Sequence, residues 1–249
     1  MKIGIFSDPH LRDAVPGTSS VEQRKSRWME EAVRRSLEFF IENKADLLIV
    51  PGDIIDDCSH PAAEEDLRTV SRMIEEAGIP AIVVAGNHDP APDKFYEVFN
   101  RPEKSIKAGN CEFITFSEDA CKEGELASER SGPALEEMRN MLSKNPAGVK
   151  HTIIIQHYLI FPERNEGYPH NYANDAAIRE IMEGSPRRIF SISGHFHPGV
   201  PAANQNGVAY FCAGALCENP FPRYILDTGG EEITMKEETF GGDLADKAR

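Results

Sequence analysis

The chain has 249 residues, with 27 Lys and Arg against 41 Asp and Glu, a formal charge of −14 at pH 7, and 40% hydrophobic residues. That composition excludes disordered, collagenous and coiled-coil chains. No stretch concentrates Lys and Arg into a basic groove, so long nucleic acid is not an expected partner.

A single core can still grow at this length, so we expect one domain over 1–249, with about 240–249 forming a polar tail. Cys58, Cys111, Cys121, Cys212 and Cys217 form no CxxC pair, and their odd number leaves at least one thiol free. Reduced thiols in a cytoplasmic protein are the expectation. The N-terminus reaches Asp8 before a signal-peptide core could form, and nowhere do about 18 apolar residues follow one another. Neither export by that route nor a membrane span is expected.

Short apolar, β-rich runs alternate with longer amphipathic ones, the pattern of sheets flanked by helices. In chain order the pattern predicts a strand over 2–7, a loop over 11–19, a helix over 20–43, a strand over 46–51, a helix over 62–78 and a strand over 81–85. A helix over 91–99, a strand over 111–116, a helix over 133–144, a strand over 150–156, a loop over 158–172 and a helix over 174–183 follow. Strands over 188–193, 208–212, 223–227 and 232–237 complete the series. The first helix carries Trp28, Val33, Leu37, Phe40 and Ile41 on one stripe, and Gly78 before Ile79-Pro80 is a helix stop. In the last third, strand follows strand across turn residues such as Asn206-Gly207 and Gly229-Gly230, predicting an α/β first half and a more antiparallel second half.

The chemistry lies immediately after the apolar strands. Asp8-Pro9-His10 follows the first, Gly52-Asp53 the second and Gly86-Asn87-His88-Asp89 the third. His157 follows the strand over 150–156, and Gly194-His195-Phe196-His197 follows that over 188–193. Strand ends on one sheet edge lie side by side, so fragments far apart in sequence can converge. Asp, Asn and His without ligand-spaced thiolates suit a pair of borderline-hard cations. On an extended segment Asp8 and His10 would point the same way, with Pro9 holding Asp8 extended. The glycines ahead of Asp53, Asn87 and His195 remove a side chain where the backbone turns sharply or approaches the metals. His60, His151 and His170 lie outside these fragments and read as surface or loop residues, and Asp56 and Asp57 read as solvated.

Taken in order, the five fragments resemble the signature of the calcineurin-like metallophosphoesterases: D-x-H, G-D, G-N-H-[DE], a His, and G-H-x-H. The resemblance spans residues 8–197. It implies an α/β fold, a four-layer α/β/β/α sandwich of two mixed sheets, with a dinuclear metal centre at the strand ends. It places Asp8, His10, Asp53 and His197 on the first metal and Asp53, Asn87, His157 and His195 on the second, with Asp53 bridging. The ions would be divalent or trivalent, with manganese, iron or zinc ahead of magnesium. The implied activity is hydrolysis of a small phosphate ester by a metal-bridging hydroxide. Compact relatives point to a phosphodiester of the cyclic-nucleotide or glycerophosphodiester type. Phosphomonoester or protein-phosphate hydrolysis, and a non-catalytic scaffold, are the alternatives.

His88, next to Asn87, is expected to stabilise the transition state and to donate a proton to the leaving alkoxide. Asp89 is expected either to orient the His88 ring or to serve as a turn or cap carboxylate. Tyr158, Arg164, Tyr168 and His170 in the 158–172 segment are candidate substrate contacts, the plainer reading being a solvated loop whose aromatics pack locally. Arg12 is a further candidate anion contact.

Overall fold

In the computed structural model, residues 1–117, 119 and 127–240 are described; Cys121 and the tail after residue 240 lie outside them. The elements run β1 (Lys2–Ile5), α1 (Met29–Glu42), β2 (Leu47–Val50), α2 (Ala63–Ala77), β3 (Ala81–Val83), α3 (Pro92–Phe95), β4 (Ser105–Ala108) and β5 (Cys111–Thr115). Next come α4 (Gly132–Leu142), β6 (His151–Ile155), α5 (Asp175–Glu183), β7 (Ile189–Ser193), β8 (Val200–Gln205), β9 (Val208–Cys212), β10 (Pro222–Asp227) and β11 (Thr234–Thr239).

One sheet has the order β11-β10-β1-β2-β3 and the other β4-β5-β6-β7-β9-β8. Within the first, β1, β2 and β3 are parallel and β10 and β11 antiparallel. Within the second, β5, β6, β7 and β9 are parallel, with β4 and β8 antiparallel at the edges.

Side-chain alternation stacks these sheets into layers. Ile3, Ile5, Leu47 and Ile49 of the first sheet meet Phe113, Ile153, Ile155 and Ile192 of the second in one buried cluster. The opposite faces bind helices: Leu48 and Val50 pack with Val33, Leu37 and Phe40 of α1 and with Leu67 and Val70 of α2. Ile114 and Ile154 pack with Met138 and Leu142 of α4 and with Ile178 and Met182 of α5. The expected α/β/β/α order follows. Each fully buried aliphatic contributes about 1.5–3 kcal/mol. Phe40 sits so close to β1 that a Cβ on Gly4 would lie 2.6 Å from its ring, so only glycine lets α1 approach here.

All nine expected strands form, with ends shifted by up to two residues, but β4 and β8 were not expected. Strand β4 alternates Ser105-Ile106-Lys107-Ala108 over only four residues and β8 shows no apolar alternation; each is an edge partner of an apolar strand, β5 or β9. The more antiparallel last third holds for β8–β9, β10–β11 and β10–β1, with one exception: β9 joins β7 in parallel, while the β10–β11 hairpin returns to the first sheet beside β1. Asn206-Gly207 makes the turn expected there, which joins the unexpected β8 to β9, both residues at positive φ.

Helix α1 begins at Met29, after a single 3-10 turn over Ser26–Trp28, rather than at residue 20. Tertiary bonds claim the preceding segment: Arg27 donates to the carbonyls of Asp13 and Val15, and Lys25 N–H to that of Cys217. Ile41 is half exposed, off the stripe expected for it. Helix α3 is confined to four residues, whereas α2 stops at Gly78 in the left-handed conformation, as expected. Phe240 is buried beneath Arg35 and Arg223 rather than part of a polar tail. Among the described residues no helix is long and apolar enough to cross a membrane.

Candidate metal centre

The parallel strands deliver their C-terminal ends to one place. Asp8 and His10 leave β1, Asp53 leaves β2, and Asn87 and His88 follow β3, all from the first sheet. His157 leaves β6, and His195 and His197 leave β7, from the second. Ligating atoms of Asp8, His10, Asp53 and His197 lie within 4.8 Å of one another, and so do those of Asp53, His157 and His195. Asp53 belongs to both groups. Its Oδ2 is 3.5 Å from His10 Nε2 and 3.4 Å from His157 Nε2. Asn87 Oδ1 joins the second group at 3.1 Å from His157 Nε2. His10 and His197 face each other with their Nε2 atoms 3.1 Å apart.

The donor set fits cations. His157 Nδ1 lies 2.7 Å from the Pro51 carbonyl, and His197 Nδ1 lies 2.5 Å from Glu218 Oε1. Both partners only accept, so each Nδ1 carries the proton and each Nε2 keeps a lone pair for a metal. His195 Nε2 is buried with no hydrogen-bond partner among the described residues. Burial disfavours imidazolium at His157, yet the charge and hydrogen bond of Asp53, aided by Asp8, raise its pKa to about 9 without a metal. Burial would raise Asp53, but His157, His10 and His88 hold it well below the usual carboxylate range. His10 falls well below the usual imidazole value, burial outweighing Asp53.

Holding these side chains together strains the backbone. Asp8, His10, Asp53 and His195 all have φ between 46° and 67°, and they make up four of the seven positive-φ non-glycine residues described. Such conformations cost on the order of 1 kcal/mol each and survive where surrounding contacts impose them. Asp8 and His10 therefore reach one cluster through left-handed turns, not through the extended segment expected from Pro9. Asp8 N–H bonds the Gly52 carbonyl and His10 N–H the Asp53 carbonyl, which ties the turn after β1 to that after β2. A Cβ on Gly52 would lie 2.3 Å from His157 Nδ1, one on Gly86 2.2 Å from Asp53 Oδ1, and one on Gly194 2.5 Å from Asp8 Oδ2. The three glycines leave room for the ligands themselves.

Other expected residues sit differently. Asp89 does not orient His88: its Oδ1 accepts from the backbone N–H groups of Ile54 and Ile55, and its Oδ2 from that of Gly86. It is a turn carboxylate that clamps the Asp53 and Asn87 turns together. Burial and the charge of Asp53 push it up to about 7 against those backbone donors. The His88 ring is held instead through Nδ1, 2.6 Å from the Asp56 carbonyl. Tyr158 is fully buried behind the ligands, its ring 4.7 Å from that of His195. Arg164 points outward to the Glu163 carbonyl, and Arg12 pairs with Asp56.

Sequence spacing missed Arg24, Glu218 and Cys217 near the centre, whereas Tyr168 and His170 stand where candidate substrate contacts were expected. His170 and Tyr168 line a cavity of about 250 Å³ beside His88 and His195, and Arg24 lines it too. Glu218 carries no motif, since it arrives from the segment after β9. Cys217 comes within 4.8 Å of ring nitrogens of His10 and His197, and burial keeps its thiol pKa well above the ordinary value. Cys58, Cys111, Cys212 and Cys217 are free thiols.

A family model described as calcineurin-like phosphoesterase matches residues 1–199. The chain belongs to that family. As a calcineurin-like phosphoesterase it comes from a family of hydrolases, and its fold is also that of a dimetal phosphatase from Danio rerio, with a TM-score of 0.81 at 14% identity over 96% of both chains. A purple acid phosphatase from yellow lupin seeds gives 0.68 at 14% identity, over 96% of this chain and 51% of that one. By sequence it is similar to a probable cyclic nucleotide phosphodiesterase of a Synechococcus species, 43% identical over 60 residues, 24% of this chain and 22% of the relative. The DNA double-strand break repair protein Mre11 of Sulfurisphaera tokodaii is 27% identical over 168 residues, 65% of this chain and 41% of the relative. The matches thus span less than half the length of either curated relative.

Proposed function

We propose that this calcineurin-like phosphoesterase is a two-metal hydrolase of a small phosphodiester, of the cyclic-nucleotide or glycerophosphodiester type. The observation that carries this is Asp53, one carboxylate oxygen poised between His10 and His157 at 3.5 and 3.4 Å. Asp8, His10, Asp53 and His197 would hold one ion, and Asp53, Asn87, His157 and His195 the other. Bound there, the ions would supply Lewis-acid polarisation of the phosphoryl group and a nucleophile near neutral pH.

The protein's own groups do the rest. Glu218 and the Pro51 carbonyl fix the tautomers of His197 and His157. The Asp56 carbonyl holds the His88 ring beside the cavity, where it is placed to stabilise a phosphoryl oxygen or to hand a proton to the leaving oxygen. Asp89 keeps the Asp53 and Asn87 turns in register. Tyr168 and His170, with ring centroids 5.1 Å apart, form an aromatic wall beside His195 against which a flat ester group can lie. The cavity, about 250 Å³, suits a small ester. The name of the Synechococcus relative supports the cyclic-nucleotide form.

Chelation should abolish hydrolysis of a bis-aryl phosphodiester and manganese should restore it, with the diester preferred over an aryl phosphate. A strong preference for the monoester would overturn the diesterase reading. A fully metallated protein active on neither would point to the scaffold.

A further inference from the structure

We infer that Arg24 is the phosphoryl-binding side chain of this site and that Asp56 is the positioning residue that aims it, an assignment that rests on the phosphoesterase reading above. Arg24 lies on the segment between β1 and α1, outside every ligand fragment, yet it lines the same cavity as Asp53, Asn87 and His195. Its Nη1 is 3.3 Å from His88 Nε2 and 3.6 Å from Asp56 Oδ1. A guanidinium only donates and a carbonyl only accepts. His88 Nε2 is therefore the acceptor for Arg24, and Nδ1 is the protonated nitrogen facing the Asp56 carbonyl.

That contact is a weak one for a guanidinium. A neutral imidazole nitrogen offers the cation one lone pair and no opposite charge, whereas a phosphate offers both charge and paired oxygens that match the planar fork of arginine. Arg24 has only its Nη1 engaged among the described residues, and its Nε is buried with no hydrogen-bond partner among them. The side chain is only 15% exposed, so solvent does little to satisfy those donors. A phosphoryl oxygen in the cavity would draw the donor away from His88 and leave both side chains facing the same group.

Asp56 accounts for the aim. Its carboxylate is buried, accepting from Arg12 Nη1 at 2.9 Å on Oδ2 and from Ser19 Oγ at 3.0 Å on Oδ1. Arg24 shares that carboxylate with Arg12. With Arg12 and Ser19 closer to that carboxylate than Arg24 is, Arg24 keeps only a share of one negative charge. The same residue's backbone carbonyl holds His88. Asp56 thus fixes both the cation and the imidazole through two different atoms.

The experiment is calorimetric titration of the metal-loaded full chain with inorganic phosphate, run beside bis-aryl phosphodiester hydrolysis. Arg24→Gln should weaken phosphate binding about 10–100-fold at unchanged metal content, as loss of one charge-assisted bond implies, and Arg24→Lys should recover part of it. Asp56→Asn should weaken phosphate binding by less, and adding it to Arg24→Gln should cost nothing more, because both act through one guanidinium. Unchanged phosphate affinity in metal-loaded Arg24→Gln, or no phosphate binding by the wild type, overturns the assignment of Arg24; an additive double variant overturns that of Asp56. If the wild type hydrolyses neither ester yet binds phosphate through Arg24, the phosphoryl site stands and the hydrolase reading falls. If it hydrolyses the diester while Arg24→Gln keeps full phosphate affinity, the reverse holds.

Discussion

A single methyl group at Gly86 should dismantle the metal centre. A Cβ there would lie 2.2 Å from Asp53 Oδ1, 2.5 Å from the Asp53 backbone nitrogen and 2.8 Å from Cγ, where ordinary contacts begin near 3.4 Å. Gly86 is not among the positive-φ glycines, so alanine brings no backbone penalty and the effect is purely steric. Asp53 has little room to yield, since its Oδ1 accepts from His88 N–H at 2.8 Å and its Oδ2 lies between His10 and His157. Either Asp53 or the turn after β3 must move by about 1 Å, and overpacking of this kind costs about 1–3 kcal/mol. A misplaced shared ligand should lower metal affinity at least about 10–100-fold, as loss of a supporting contact does, and the rate about 10²-fold. Metal content after dialysis against graded chelator, with diester hydrolysis alongside, measures both. Gly132→Ala is the control, with nothing within 4 Å of the added carbon. Gly86→Ala with wild-type metal affinity and rate would show that Asp53 does not occupy the position between the two groups.

Glu218→Gln should weaken metal binding about 10–100-fold, because the 2.5 Å contact that fixes the His197 tautomer loses its charge; competition with a chromogenic chelator reads the change. His88→Ala should keep both metals while slowing hydrolysis about 10²–10⁴-fold, and the loss should be smaller for a nitrophenolate leaving group than for an alkoxide. Equal losses for both esters would leave His88 an electrostatic role alone. Burial raises the buried Glu112 carboxyl, but the Ser105 hydroxyl and Arg187, 2.5 Å away, hold its pKa below the ordinary value. Its stabilisation is therefore present above the unfolded value and disappears as pH falls through the folded one. Glu112→Gln should cost about 1–3 kcal/mol at pH 7, and the gap to wild type should close in acid, as urea melts across that range would show.

The convergence of the candidate residues was legible because each is a metal-binding residue type placed where an apolar strand stops, and strand ends of a parallel sheet converge by construction. Arg24, Asp56 and Glu218 carry no comparable signal. Arg24 lies in a polar stretch that reads as the start of α1, and only the tertiary bonds of Arg27 and Lys25 pull that stretch out of the helix. Asp56 looks solvated beside Asp57, yet two arginines and a serine bury it. Glu218 reaches His197 because β9 is parallel to β7, a pairing that strand patterns do not specify. The layered architecture was implied by the resemblance, and the strands by continuous apolar runs such as those of β2 and β6, whereas β4 is too short for its alternation to stand out and β8 carries none. Asp89 shows the limit of motif logic: adjacency to His88 suggested contact, but its carboxylate turns away to three backbone donors.

Anomalous diffraction from crystals grown with manganese tests the shared role of Asp53 most directly. Two peaks should flank its carboxylate, one among Asp8, His10 and His197 and the other among Asn87, His157 and His195, and Asp53→Asn should lose occupancy at both. A single peak, or a pair that leaves His195 or His197 uncoordinated, would contradict a dinuclear centre built on Asp53.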